Sequence, residues 1–272
     1  MYEDASLEEA LFPAGGRICC IASAGCTAIR LAKHHEVTAV DINPIQLAYA
    51  RSRAAGAPME PGAAERLMAR GRVLLRLAGW TRPRLGAFLD LDDPPSQTAF
   101  WQDQLDNRRF RRLLGTLLSA RLLAGFYQPA LLDALPPHFS RVLRGRMERC
   151  WGRHPNRSNP YAHALLLGTA EPDSPGPAPR PITFVHADIA GYLEAQLPGS
   201  FDGFSFSNIA DGASPAYWER LLAAAHRAGR PGSLIILRSF GLPSDPAGPD
   251  PAERDRCFLW GRVEVGEIES FL

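Results

Sequence analysis

The stretch RICCIASAGCTAIRLAKHHEVTAVDINPIQLAYARSR, residues 17–53, decides the fold. Residues 17–23 (RICCIAS) are short and apolar, bounded by Gly15-Gly16 and Gly25, which is the profile of a buried strand. Residues 26–34 can form a helix, and 36–42 (EVTAVDI) give a second strand rich in Val and Ile. Asn43-Pro44 starts a further helix, with proline in its first turn, and Gly56 ends it. Strand, helix, strand, helix at this spacing predicts a βαβ unit.

Beyond it the alternation stops. Residues 57–168 hold almost no strand-like run and predict helices over 63–78, 97–106, 108–124 and 137–151. A Pro-rich break follows between 170 and 181. Then strands are expected at 182–187, ending at Asp188, at 201–207 and at 233–240, with helices over 190–197 and 214–228. Gly229 closes the last helix, Pro231-Gly232 makes a turn, and 258–265 reads as an edge strand. The expected fold class is α/β: a doubly wound, Rossmann-like domain with a mainly helical insertion after the second helix. Residues 1–56 and 181–272 would form its two parts, and 57–180 the insertion and Pro-rich loop.

Composition narrows the function classes. The 272 residues are 46% hydrophobic and 22% charged, with a formal net charge of +1, so there is no global case for nucleic acid. No apolar run approaches the 18 residues of a membrane span. The start, MYEDASLEEA, is acidic and lacks the pattern of a secretory leader. Five cysteines with no CxxC pair read as reduced thiols in a cytoplasmic protein, and no metal site is expected.

In a doubly wound sheet, ligands sit beyond the carboxyl ends of the strands. That puts Ser23, Ala24, Gly25 and Cys26 in the first βα turn, where small residues let a ligand approach the backbone. Asp41 ends the second strand, where a carboxylate can accept both hydroxyls of a ribose. Asp188 ends the third and can bind an adenine amino group; Ser207-Asn208 ends the fourth. Ile42 and Ile189, beside the two carboxylates, join this candidate set. The GxGxxG fingerprint and the Walker sequence are both absent, so little is offered to a pyrophosphate. A nucleoside cofactor without phosphate, S-adenosyl-L-methionine, fits better. The plainer alternative is that Gly25 relieves packing and Asp41 caps the next helix.

YED (2–4), RICCIASAGCTAI (17–29) and VTAVDINPIQLAY (37–49) resemble the N-terminal core of the BtaA-like family. SFDGFSFSNIAD (200–211), GRPGSLIILRSF (229–240) and ERDRCFLWGRVEV (253–265) resemble its later segments. Those enzymes are S-adenosylmethionine:diacylglycerol 3-amino-3-carboxypropyltransferases of betaine-lipid synthesis. The resemblance implies transfer of the aminocarboxypropyl group to a hydroxyl of a lipid or small-molecule acceptor, releasing methylthioadenosine. It also implies that Ser23–Cys26, Asn43 and Ser207–Asn208 surround the sulfonium. A methyltransferase and a non-catalytic nucleoside- or lipid-binding module are the competing readings.

An alcohol acceptor must lose its proton, so a base is sought. Asp211, after the fourth strand, is the first candidate, with a helix cap as its alternative role. His138 and His163 are open candidates, Tyr127 and Tyr161 weaker ones, and His186 reads as buried and satisfied. Arg238 can grip a cofactor carboxylate or pair with a structural acid. Glu3 and Asp4 can hold a cofactor amino group or form a solvated face. Residues 108–157 carry eleven arginines against Asp133 and Glu148. RRFRRLLGTLLSARLLAG, containing Arg108–Arg112, can lie peripherally on an anionic membrane or be a solvated basic face; no nucleic acid is expected.

Overall fold

The computed structural model describes residues 3–125, 129–168, 176–242 and 251–271. Tyr2, Tyr127 and residues 170–175 of the Pro-rich break lie outside them. Six strands form one sheet in the order β3-β2-β1-β4-β5-β6. They are β1 (Arg17–Ile21), β2 (Glu36–Asp41), β3 (Ile182–His186), β4 (Phe201–Ser205), β5 (Gly229–Ser239) and β6 (Arg262–Glu267). The first five are mutually parallel, and β6 runs antiparallel at the edge beside β5. This mixed, mostly parallel sheet flanked by helices is compatible with a Rossmann-like fold. From β1 the chain builds outward through β2 and β3, then returns to build the other way through β4 and β5. The switch point therefore lies between the carboxyl ends of β1 and β4.

The inner strands β1, β2, β4 and β5 carry the buried runs, as near-continuous apolar sequences require, while the edge strands β3 and β6 are partly exposed. On one face Ile18, Cys20, Val37 and Ala39 pack against α2 (Cys26–Leu31) and α3 (Pro44–Ala54). On the other, Cys19, Val40, Phe204 and Ile235 pack against α12 (Ile189–Glu194) and α13 (Pro215–Ala228). The expected caps operate locally. Asn43 Oδ1 accepts the Ile45 and Gln46 N–H groups at 3.0 and 3.4 Å, with Pro44 at the first helical position. Ser214 caps α13 by accepting the Tyr217 N–H, so that task does not fall to Asp211. The Pro231-Gly232 turn is absorbed into β5 as a register irregularity against β4, with Gly232 at φ 76°.

Between α3 and β3 the described residues are mainly helical. It runs through α4 (Ala63–Leu75), α5 (Arg82–Leu89), α6 (Pro94–Phe100), α7 (Arg108–Leu117), α8 (Ala120–Leu123), α9 (Pro129–Asp133), α10 (Phe139–Trp151) and α11 (Pro160–Leu166). These helices share their own apolar cluster, built on Trp80, Phe88, Trp101, Phe110 and Trp151. Trp80 stacks on Phe110 at 4.5 Å. Arg146 on α10 joins the helices to the sheet by donating to the carbonyls of Phe240, Gly241 and Leu259. The five cysteines are buried and unbridged. Among the described residues no helix is long and apolar enough to cross a membrane.

Candidate functional site

The carboxyl ends of β1, β2 and β4 are tied together by side chains from distant parts of the chain. After β1, Ser23 takes the left-handed conformation at φ 44° and Gly25 follows at φ 84°. A Cβ on Gly25 would lie 3.2 Å from Ala50, so only glycine lets this turn rest on α3. The Asp41 carboxylate bridges two strand ends. Its Oδ2 accepts the Ser23 N–H at 2.9 Å and its Oδ1 accepts the Asn43 N–H at 2.9 Å. A carboxylate offers about four acceptor positions, so two remain for a ligand. Ile42, beside it, is 70% exposed and presents an apolar face at the strand end. Asn43 is engaged as the α3 cap.

At the facing strand end Ser207 is also left-handed, at φ 53°. Two non-glycine residues in this conformation, at the ends of paired strands, mark a locally strained site of the kind that clusters where ligands bind. The Ser207 hydroxyl donates to Glu3 in a short hydrogen bond and lies 3.4 Å from Asn208 Oδ1. Thr27 in α2 donates to the other Glu3 oxygen at 3.2 Å, and Tyr161 on α11 donates to the Glu3 carbonyl at 2.7 Å. Glu3 is only 6% exposed, so the N-terminal segment lies over the strand ends and is no solvated face.

Several of the expected ligand groups have structural partners. Arg238 is 1% exposed and closed within a buried ionic network. It grips Glu8 with two nitrogens at 2.5 and 2.9 Å, Asp255 at 3.2 Å and the Asp4 carbonyl at 3.0 Å. Of the two roles read for it, the ion pair is the one observed. Asp4 in turn pairs with Arg256 at 2.6 Å. Burial works to raise the Asp4 carboxyl, but the hydrogen bond and charge of Arg256 outweigh it and hold it at about 2. Burial dominates at Asp255, which is pushed up to about 7 despite Arg238, with the negative charge of Asp4 adding to the rise.

Asp188 caps α12 through the Gly191 N–H at 2.9 Å and also accepts from Tyr217 and Arg220. Partial burial tends to raise its carboxyl, while the Tyr217 and Gly191 hydrogen bonds and the Arg220 charge bring it below the ordinary range. The Ala190 N–H acts in the same direction, so the protein itself engages this carboxylate from four groups. Ile189 is buried in the sheet-facing cluster and offers its side chain to packing.

Asp211 bridges the ends of β4 and β5. It accepts the Ser239 hydroxyl at 2.5 Å and the Phe240 N–H at 3.0 Å. Phe240 is also part of the wall of an apolar cavity of about 260 Å³ among the helices. That wall includes Leu75, Phe110, Leu114, Phe139 and Met147. Asp211 thus stands one residue from the cavity wall.

The histidines are less well placed. His138 is exposed and left-handed at the start of α10, next to the cavity residue Phe139. His163 lies on α11 two positions after Tyr161, and residues two apart on a helix do not share a face. Its Nε2 is buried without a hydrogen-bond partner among the described residues. His186 is exposed, its ring against the Ile42 carbonyl at 3.0 Å, which corrects the expectation of burial.

Three features escaped sequence reading. Glu8 and Asp255 belong to acidic or mixed-charge stretches that carry no signal of burial. The cavity depends on how α4, α7 and α10 meet. Arg53, at the end of α3, is 3% exposed and has no carboxylate partner among the described residues. It donates to Cys26 Sγ at 2.8 Å and to the Ala24 carbonyl at 3.4 Å, directly behind the Ser23–Cys26 turn. An arginine at that spacing from a strand end reads as an ordinary helix-surface residue. No protein-family model matches the chain, and no curated protein matches it.

Proposed function

We propose that the chain is a transferase that uses S-adenosyl-L-methionine and moves its 3-amino-3-carboxypropyl group to the hydroxyl of an acceptor bearing an apolar chain. The observation that carries the cofactor is Asp41. Its carboxylate is braced by the Ser23 and Asn43 N–H groups, keeps two acceptor positions, and lies beside the exposed Ile42. That combination suits a ribose with a base ring next to it. The site chemistry favours a ligand without pyrophosphate, since Arg238 is fully used and the remaining nearby cation, Arg53, lies behind the turn. A single buried positive charge there favours a ligand carboxylate across a low-dielectric path.

In this reading the sheet and its strand-end turns are the cofactor domain, and α4–α11 are an insertion that receives the acceptor. The sulfonium supplies an activated carbon and a neutral thioether leaving group. Ser23–Cys26 and Ser207–Asn208 hold the methionine arm, and Glu3 fixes Ser207. The apolar cavity takes the acceptor's chain, which leaves its hydroxyl near Asp211. Asp211, held by Ser239 and the Phe240 N–H, accepts the hydroxyl proton as the oxygen bonds to the methionine Cγ and the C–S pair returns to sulfur. Choice of Cγ over the methyl rests on the BtaA-like resemblance. The setting is cytoplasmic with bilayer access.

The test is the by-product formed when the protein meets cofactor and dioleoylglycerol in micelles. Methylthioadenosine is expected on chromatography. S-adenosylhomocysteine would favour a methyltransferase, and no thioether despite cofactor binding would favour a binding module.

A further inference from the structure

The helices that wall the cavity turn a second apolar face to solvent. α4 gives Leu67, Gly71 and Leu75 to the cavity. Val73 on its opposite side, Leu74 on its flank and Leu77 in the short turn at 76–78 are exposed at 58, 40 and 66%. α7 runs antiparallel alongside: Gly71 packs against Leu117, and Asn107 donates to the Ala78 carbonyl at 2.7 Å. Leu122 on α8 is exposed as well.

Over residues 63–78, 108–117 and 120–123, nine arginines stand against one acid, Glu65. Arg66 donates to the Pro61 carbonyl, Arg72 to the carbonyls of Ala164 and Leu165, and Arg111 pairs with the buried Asp106 at 2.9 Å. Arg111 is thereby withdrawn from the basic run Arg108–Arg112. The other six, Arg70, Arg76, Arg108, Arg109, Arg112 and Arg121, are exposed, with no side-chain partner among the described residues.

Single exposed leucines need no explanation, but an apolar strip among six unpaired cations does. A second copy of the chain on this face would set cations against cations in a two-fold contact. A nucleic acid would use the arginines and leave the leucines unemployed. An anionic bilayer uses both, taking apolar side chains into the headgroup boundary and guanidinium groups onto phosphates. We propose that the outer face of α4, the 76–78 turn, α7 and α8 docks on anionic phospholipid, with the cavity directly behind it. This rests on the surface itself and not on the transferase reading.

Sedimentation with vesicles of phosphatidylcholine, with and without phosphatidylglycerol, tests it. Wild type is expected to bind the anionic vesicles, and less so as salt rises. Each arginine near a charged surface is worth about fivefold in binding, from about 1 kcal/mol apiece, so Arg108→Gln/Arg109→Gln/Arg112→Gln should weaken it by about a hundredfold. Val73→Ser/Leu77→Ser should weaken it too, while Arg180→Gln/Arg254→Gln should not. Circular dichroism checks that each variant is folded. No binding by wild type, equal loss in the Arg180/Arg254 control, retention by the Val73/Leu77 variant, or binding to duplex DNA alone would overturn the proposal.

Discussion

The Asp41 carboxylate accepts the backbone N–H of Ser23 at 2.9 Å, so the residue that closes β2 also holds the left-handed turn that follows β1. A side chain with this double duty affects both the shape of the turn and any ligand seated on it. Asp41→Ala is expected to weaken S-adenosylmethionine binding by about 1.5–3 kcal/mol, the range for a hydrogen bond to a charged group. Calorimetric titration of the folded variant measures it. Equal affinity would remove Asp41 from the site.

Gly25 gives a steric prediction. At its φ of 84° a side chain is strained, and a Cβ 3.2 Å from Ala50 would require α3 to give way. Gly25→Ala should cost roughly 1–3 kcal/mol of stability from left-handed strain and displacement of α3. Urea denaturation reads this directly, and an unchanged midpoint would mean that the turn relaxes freely.

The Arg238 network predicts a larger effect. Arg238→Met leaves Glu8 and Asp255 buried without their cation, and breaking such a pair costs about 3–5 kcal/mol. Since Glu8 anchors the N-terminal helix α1 (Ser6–Leu11) and Asp4 the 251–257 turn, the loss should appear in global unfolding, measured by urea. A loss below about 1 kcal/mol would show that the network opens to water at little cost.

Asp255 fixes the sign of a pH effect. The unfolded chain releases its proton near the ordinary 3.8, whereas the folded protein retains it to about 7. Between those values the folded state binds more protons, so this residue makes stability fall as pH rises, by no more than about 1.4 kcal/mol per pH unit. Asp4 acts oppositely: its contribution is full above 3.8 and is lost as pH falls through about 2. Asp255→Asn should abolish the decline between pH 4 and 7 relative to wild type in urea titrations. An identical slope in the variant would exclude Asp255 as its source.

Much of the sheet was legible because its strands are short apolar runs closed by Gly, Pro, Asp or Asn. β1, β2 and β3 and the capped helix α3 follow from such local signals, and the Gly25 turn follows from the lack of any other residue that fits. What stayed hidden depends on contacts across the chain. Glu3 and Glu8 look solvated in an acidic N-terminus, yet Ser207 and Arg238, some 200 residues on, bury them. The sequence puts Asp188 at the close of the third strand and Asp211 beyond the fourth, but not their partners Tyr217 and Ser239, which come from neighbouring elements. His186 points outward because β3 is the edge of the sheet, a position that periodicity alone does not reveal.

The account stands most directly on which carbon leaves the cofactor. S-adenosylmethionine labelled in its methyl group, incubated with the protein and dioleoylglycerol, distinguishes the two outcomes. The label is predicted to remain with the adenosine by-product, as methylthioadenosine, while the acceptor gains an unlabelled aminocarboxypropyl ether. Label recovered in the acceptor would contradict the account and make the protein a methyltransferase.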